Sequence, residues 1–485
     1  MVQALRSNWI LLGCVAFVLA NLAFMAKGIF WFNLFPVALI LLWAMFVAAD
    51  RLLIFIAFAT PLSVNLEELD LGGIGIALPT EPLMVGLTVL FLLKTSLERN
   101  IVDHKVWRHP ITWVIMAQLI WMAVCIIPSS MPLVSAKYFL ARLWFVTTMY
   151  FMVSWLFQRD RSIHRFIWAY LAGLSIVVIY TLIHHAQYGF AHDPAHWVMS
   201  PFFKDHTSYG AIIAFFIPYV LAAIAMRGNS RTRVGIAVLL VALLATGLIF
   251  SYTRAAWLSL AGALGVLLIM KLKIPTWSLF ALLLVSGGLY LVNQDKITMA
   301  LERTREESSD DLGEHVRSIS NISTDASNLE RINRWRSAWR MWLERPIFGW
   351  GPGTYMFQYA PFQASEDRTI ISTNFGVQGN AHSEYLGPLS EQGVIGAGLM
   401  LALVLLTTVL AMRLYKKLPP SNDRALLMAT YLGLVTYYLH GALNNFLDTD
   451  KASVPFWAFT ALIVLLDVKY SDQPKEQAST AISSK

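Results

Sequence analysis

The sequence predicts an all-α polytopic membrane protein, a bundle of about 12–14 transmembrane helices with one large helical loop outside the bilayer. Three observations predict it. Of 485 residues, 57% are hydrophobic and 14% charged, too little charge to cover a soluble surface of this size. The apolar residues fall in long continuous blocks rather than alternating, which favours spanning helices over membrane strands. The basic residues concentrate in every second connection, as they do on the inner face of a membrane protein.

Taken in order, the blocks are Trp9–Met25, Phe30–Ala48, Ile111–Ile127, Phe139–Leu156, Phe166–Ile183, Ala211–Met226, Val234–Ile249, Ala255–Met270, Trp277–Val292, Val394–Met412, Leu426–Tyr438 and Phe456–Val468. Most reach or approach the roughly 20 residues a helix needs to cross. Two shorter blocks, Leu52–Val64 and Leu83–Leu93, are either two further spans or one re-entrant pair. With the N-terminus inside, the inward segments collect most of the 37 basic residues, among them Arg6, Arg51, Arg159, Arg227, Arg231, Lys416 and Lys469. Both termini are then inside. The net charge of +7 follows from this asymmetry, so it implies no nucleic-acid partner. The first block follows Arg6 and precedes no small-residue cleavage site, and reads as an uncleaved anchor. Cys14 and Cys125 both fall in spans and make no disulfide framework.

The chain divides into N-terminal helices over 1–200, central helices over 201–292, a loop over 293–392, C-terminal helices over 393–470 and a polar tail over 471–485. Within the loop, Glu302–Thr324 is charged and Ser-rich and reads as linker. Ser327-Asn-Leu-Glu330 is a capping-box signature for a helix that runs to Glu344, before Pro346. At about 100° per residue, Arg331, Trp335, Ala338 and Trp342 share one face of it, with Arg336 and Arg340 opposite. An arginine on an aromatic face is either packed along its stem or held for a ligand. The glycines of Pro346-Ile-Phe-Gly-Trp-Gly-Pro-Gly353 suggest a tight turn, since no Lys-Ser/Thr follows as in a nucleotide loop.

Other polar groups gather at the same membrane face. Arg254 occupies the outer hairpin Ser251-Tyr-Thr-Arg254, and Arg142 lies about one turn inside the span that begins near Lys137. Arginine at such a depth needs a partner or a polar cavity. Asp205 and His206 precede another span, Asn380-Ala-His382-Ser383-Glu384 leads back into the membrane, and His440, Asn444, Asn445 and Asp448 line the last outward turn. His184, His185, His192, Asp193 and His196 match no standard metal spacing. The candidate pocket thus holds Arg142, Asp205, His206, Glu384 and Asn445 beside Arg254, Arg331 and His382. Arginine forks suit phosphate oxygens. A neutral histidine can take a proton from an attacking hydroxyl near pH 7.

This arrangement resembles the O-antigen ligase and O-antigen polymerase superfamily of bacterial inner-membrane glycosyltransferases. His382-Ser383, nine residues and then Gly393-Val-Ile-Gly396 is similar to the ligase pattern, and Ser251-Tyr-Thr-Arg254 to the family's Ser-x-Ser-Arg hairpin, with Thr253 in place of Ser. Arg331-Ile-Asn-Arg-Trp335 resembles its Arg-x-x-x-Trp element, followed by the Pro346 to Gly353 turn. The resemblance covers roughly Phe202–Val468. It implies a type C glycosyltransferase bundle in the inner membrane, with a periplasmic loop capping the site. It also implies a donor glycan on undecaprenyl diphosphate, bound by Arg254 and Arg331, and an acceptor hydroxyl activated by His382 with inversion and without metal or cofactor. Lipid A-core is the first acceptor expected, with a growing polysaccharide or a protein as alternatives. A lipid or glycan transporter is the reading from another class. It is disfavoured because no internal repeat is seen and the polar groups lie at one face rather than at the midplane.

Overall fold

In hydrocarbon each backbone N–H and C=O must be paired within its own segment, so continuous apolar blocks fold as helices. The computed structural model describes residues 2–66, 75–98, 101–158, 162–275, 277–278, 281, 285, 288, 326–368, 372 and 379–471. The chain is all-α and polytopic. Eight described helices are long and apolar enough to cross a membrane, and three shorter apolar helices accompany them. The expected linker Glu302–Thr324 and most of the expected span Trp277–Val292 lie outside the described residues.

Two compact units divide the chain, Met1–Leu52 and Leu53–Lys485. The first holds α1 (Val2–Ala26) and α2 (Phe35–Val47), joined through Phe30–Leu34, where Phe32 stacks on Phe17 and Phe35. Helix α3 (Ala49–Ala59) follows.

The second unit contains the site. Of the two short blocks, Leu83–Leu93 lies inside the 18-residue α4 (Thr80–Leu97), whereas Leu52–Val64 yields only the 11-residue α3 and a β-strand. At 1.5 Å per residue α3 covers about 16 Å, half the hydrocarbon thickness. The strand β1 (Val64–Asn65) pairs antiparallel with β2 (Ala77–Leu78), Val64 opposite Leu78. This hairpin is pinned by buried polar groups. Ser63 Oγ and Thr80 Oγ1 both donate to Asp450 Oδ2, at 2.5 and 2.6 Å, and Lys451 Nζ donates to the Ser63 carbonyl at 2.8 Å.

Next come α5 (Pro110–Ile126), α6 (Pro132–Val146), which continues through a π turn to Leu156, α7 (Ser162–Ala186), α8 (His206–Ala225), α9 (Arg231–Ile249) and α10 (Arg254–Lys271). Helix α11 (Ala326–Glu344) lies in the large loop and ends at the expected Glu344. The chain then returns through α12 (Leu386–Lys417), α13 (Asn422–His440) and α14 (Asp450–Ser471). The core is built around α8, α13 and α14, most of whose side chains are buried. Gly433 of α13 lets that helix approach α8: a Cβ there would stand 2.7 Å from the Phe215 carbonyl oxygen.

One helix is broken inside. Gly393 interrupts α12 at φ +68°, and a Cβ on it would stand 2.0 Å from the Ile347 carbonyl oxygen. The kink frees backbone groups that the Pro346–Gly353 turn pairs. Val394 N donates to Pro346 O at 2.9 Å, Trp350 N to Ser390 O at 3.0 Å and Gly351 N to Glu391 O at 2.8 Å. The two glycine-bearing motifs are therefore halves of one joint.

Candidate active site

The site is assembled where α11, the 379–385 loop, the turn after α13 and the hairpin before α10 meet. The 379–385 loop is the centre. His382 adopts φ +48°, a left-handed conformation uncommon outside glycine, and its neighbours hold it there. His382 N donates to Asn380 Oδ1 at 3.1 Å, and Trp335 Nε1 of α11 donates to the His382 carbonyl at 3.2 Å. Arg334 Nη1 donates to Asn380 O at 3.2 Å. Ser383 Oγ then accepts from Tyr385 N and Leu386 N, which starts α12.

Two guanidiniums act on the imidazole. Burial and the guanidiniums of Arg334 and Arg331 push its pKa down to about 4, while a hydrogen bond from Asn444 works the other way. His382 is therefore neutral at pH 7 and has a lone pair to offer. Asn444 Nδ2 also lies 3.1 Å from His440 Nε2, so one buried amide stands between two imidazoles.

Arginines approach from two elements. The Arg331 guanidinium is half-buried, within electrostatic reach of His206, His382 and His440. Arg334 is the more buried of the pair: its Nε donates to Glu330 Oε1 at 2.8 Å, and its guanidinium lies 5.1 Å from the Tyr359 ring centre. Glu330 engages Arg334, Asn333 and Ser372. Arg336 and Arg340 both bind Asp367 and fasten the 360–368 segment to α11. Arg254 begins α10 after the Thr253 hydroxyl donates to the His206 carbonyl at 2.7 Å. A hydroxyl is what that position needs, and Thr253 supplies it as Ser would. Gly210 leaves the room, since a Cβ there would be 2.7 Å from Thr253 Oγ1. Arg254 Nη1 is buried without a hydrogen-bond partner among the described residues.

Asp205 caps α8: its Oδ1 accepts from Ser208 N at 2.7 Å and Thr207 Oγ1 at 2.6 Å. Burial raises its pKa, but these two bonds and His206 outweigh burial and hold it below the usual carboxylate range. His206 stacks edge-on with His196 at 4.2 Å between ring centres, and His196 with His192 at 5.1 Å. His184 and His185 turn to backbone carbonyls of Val198 and Ala191 instead. Among the described residues no three His, Cys, Asp or Glu side chains are grouped to hold a metal. The Asp-x-Asp spacing of Asp448-Thr449-Asp450 does not make a pair, because Asp450 is committed to Ser63, Thr80 and Lys451.

The remaining candidates lie across the loop from His382, around a cavity of about 140 Å3. Arg142, Glu384 and Asn445 line it, with Tyr138, Glu391 and Asp448. Helix α6 begins at Pro132, so Arg142 stands ten residues into it, about 15 Å along the axis. Its Nη2 donates to Tyr138 Oη at 3.2 Å, and among the described residues no carboxylate pairs with it. Glu384 is an anchor. Its Oε1 accepts from Tyr437 Oη at 2.6 Å, Phe446 N at 2.8 Å and Leu447 N at 2.9 Å, and its own N–H donates to Gly441 O. Glu384 thus ties the histidine loop to the last turn, and the Asn380 amide repeats the tie at Asn445 O, 3.1 Å away.

The family model described as O-Antigen ligase matches residues 239–401. Over that third of its length the chain is similar to the family. No curated protein matches it significantly. Arg254, Arg331, His382 and the Gly393 kink all fall inside the O-antigen ligase match, whereas Arg142, Asp205, His206 and Asn445 lie outside it. Two residues around His382, Arg334 and Asn444, had no role legible in the sequence. Arg334 carried one signal, its place four residues after Glu330 on a helix. Asn444 carried none beyond its place in a polar turn.

Proposed function

We propose that the protein transfers a glycan from undecaprenyl diphosphate to an acceptor hydroxyl, with lipid A-core as the acceptor. In this reading His382 is the general base, and Arg254 with Arg331 binds the diphosphate. The observation that carries it is the neutral His382 imidazole held beside guanidiniums on a loop whose backbone is fixed from three sides. A base must be unprotonated before it accepts the hydroxyl proton. Diphosphate brought to the arginines would raise the basicity of His382 as the donor binds, because it cancels their repulsion. The acceptor oxygen then attacks the anomeric carbon from the face opposite the diphosphate. The C–O bond to the new glycan forms, the bond to diphosphate breaks, and the proton goes to His382. Arg254 and Arg331 stabilise the charge gathering on the leaving group, as a divalent cation does elsewhere. We place the site on the periplasmic side of the inner membrane with both termini cytoplasmic, in keeping with the Lys and Arg asymmetry.

The test is reconstituted transfer with undecaprenyl-diphosphate glycan and lipid A-core. Wild-type protein should form the mixed product in EDTA, and His382→Ala should lower turnover by about 10²–10⁴-fold with donor binding retained. Ladders from donor alone would identify a polymerase, and glycan on a Ser-rich protein an oligosaccharyltransferase. Near-normal turnover of His382→Ala, or activity that magnesium restores after EDTA, would overturn the mechanism.

A further inference from the structure

Helix α11 buries one face and leaves an apolar stripe on another. Ala338 and Met341 pack with Tyr355, Tyr359 and Ala381 in the core of the loop. Trp339, Leu343 and Ile347, spaced four apart, are 49%, 60% and 52% exposed, and Phe348 beside them is exposed as well. The row starts on the helix and runs on into the turn. Trp342 packs against Trp339, 4.6 Å between ring centres, and widens it. A helix bathed only in water would carry polar groups at these positions.

What covers the stripe is read from where it ends. The turn that carries Ile347 docks on α12 at Gly393, and the next residue of α12, Val394, is exposed too. Val394, Leu401, Leu405 and Val409 share one exposed apolar face of this candidate span, the face that a spanning helix turns to lipid. The stripe of α11 is therefore continuous with the lipid-facing surface of α12. Depth agrees. Helix α12 has 32 residues, and the roughly 20 that cross hydrocarbon, counted back from Met412 before Arg413, reach Gly393. Phe348 stacks on Trp121, 5.4 Å between ring centres, and Trp121 lies five residues before the end of α5, about 7.5 Å inside it. A groove of about 490 Å3 beside the turn, lined by Pro128, Arg345, Pro346, Ile347, Phe348 and Gly349, has apolar walls and one guanidinium, which suits an acyl chain below its phosphate.

We propose that Trp339, Leu343, Ile347 and Phe348 lie in the bilayer at the level of the headgroups, with phospholipid as their partner. Tryptophan and a basic residue at the edge of an apolar face suit that level. Lipid then anchors the C-terminal half of the helix that carries Arg331 and Arg334.

The experiment places single nitroxide labels on full-length protein, one copy per phospholipid nanodisc, with Cys14 and Cys125 replaced by Ser. Oxygen concentrates in hydrocarbon and a polar nickel chelate in water, so their collision rates with the label report what surrounds it. Leu343→Cys and Ile347→Cys should give an oxygen-to-chelate ratio close to that of Leu405→Cys on the lipid face of α12. Both should exceed Glu366→Cys, an exposed position of the loop, several-fold. A ratio like that of Glu366→Cys at both positions means that water covers the stripe and overturns the proposal. Few collisions with either agent mean that protein covers it, and overturn the proposal equally. No transfer is measured, so the outcome is independent of the roles proposed for His382 and the arginines.

Discussion

At the scale of single residues, the site depends on how far His382 is kept from its ordinary acidity. Burial comes first among the causes, and the Arg334 and Arg331 guanidiniums add to it. Removing a neighbouring positive charge favours the protonated ring, so Arg334→Gln should raise the His382 pKa from about 4. The acid limb of kcat/KM should move to higher pH in that variant, and an unmoved limb would show that burial alone sets the value. His382 was legible from its motif, but its electrostatic setting was not. Arg334 sits beside Arg331 in sequence, and only the fold shows that it reaches the Asn380 carbonyl, 46 positions away. Glu384 was read as a pocket group; its three bonds to the 437–447 region depend on contacts that no local pattern encodes.

At the scale of elements, the decisive feature is the joint between the Pro346–Gly353 turn and the kink of α12. Both glycine-bearing stretches were visible in the sequence, and so was their order. That they dock on each other follows from the Ile347 carbonyl occupying the space of a Gly393 side chain. Gly393→Ala would force a left-handed backbone on alanine, at about 1–2 kcal/mol, before its Cβ met that oxygen. We expect a lower Tm for Gly393→Ala and loss of transfer, measured against Gly398→Ala, whose added Cβ would meet nothing within 4 Å. Equal Tm values for the two variants would mean that the turn and the kink do not hold each other. The length of α6 was less legible. Its apolar block begins after Lys137, yet the helix already starts at Pro132.

At the scale of the whole molecule, most spans were legible because hydrocarbon leaves the backbone few choices. The short block before Val64 was ambiguous for a physical reason: 13 residues suit a half-span as well as a buried core helix, and the structure gives it an 11-residue helix and a strand. Orientation is open to direct measurement. In a protein whose Cys14 and Cys125 are replaced by Ser, an impermeant maleimide added to sealed cells should label Glu366→Cys and spare Lys416→Cys. Both positions are exposed, so access and not burial decides the result. Labelling of Lys416→Cys alone would invert the topology and move the site to the other side.

The tether at Glu384 has a practical consequence for anyone who wants to recognise this site from outside. The loop around His382 takes its shape from the turn after α13 and from the first residues of α12, both of which belong to the membrane bundle. A soluble fragment spanning 326–385 would carry Arg331, Arg334 and His382 without the supports that fix their geometry. Antibodies raised against such a fragment would therefore select a different surface, and a useful immunogen has to be the intact protein in a lipid environment.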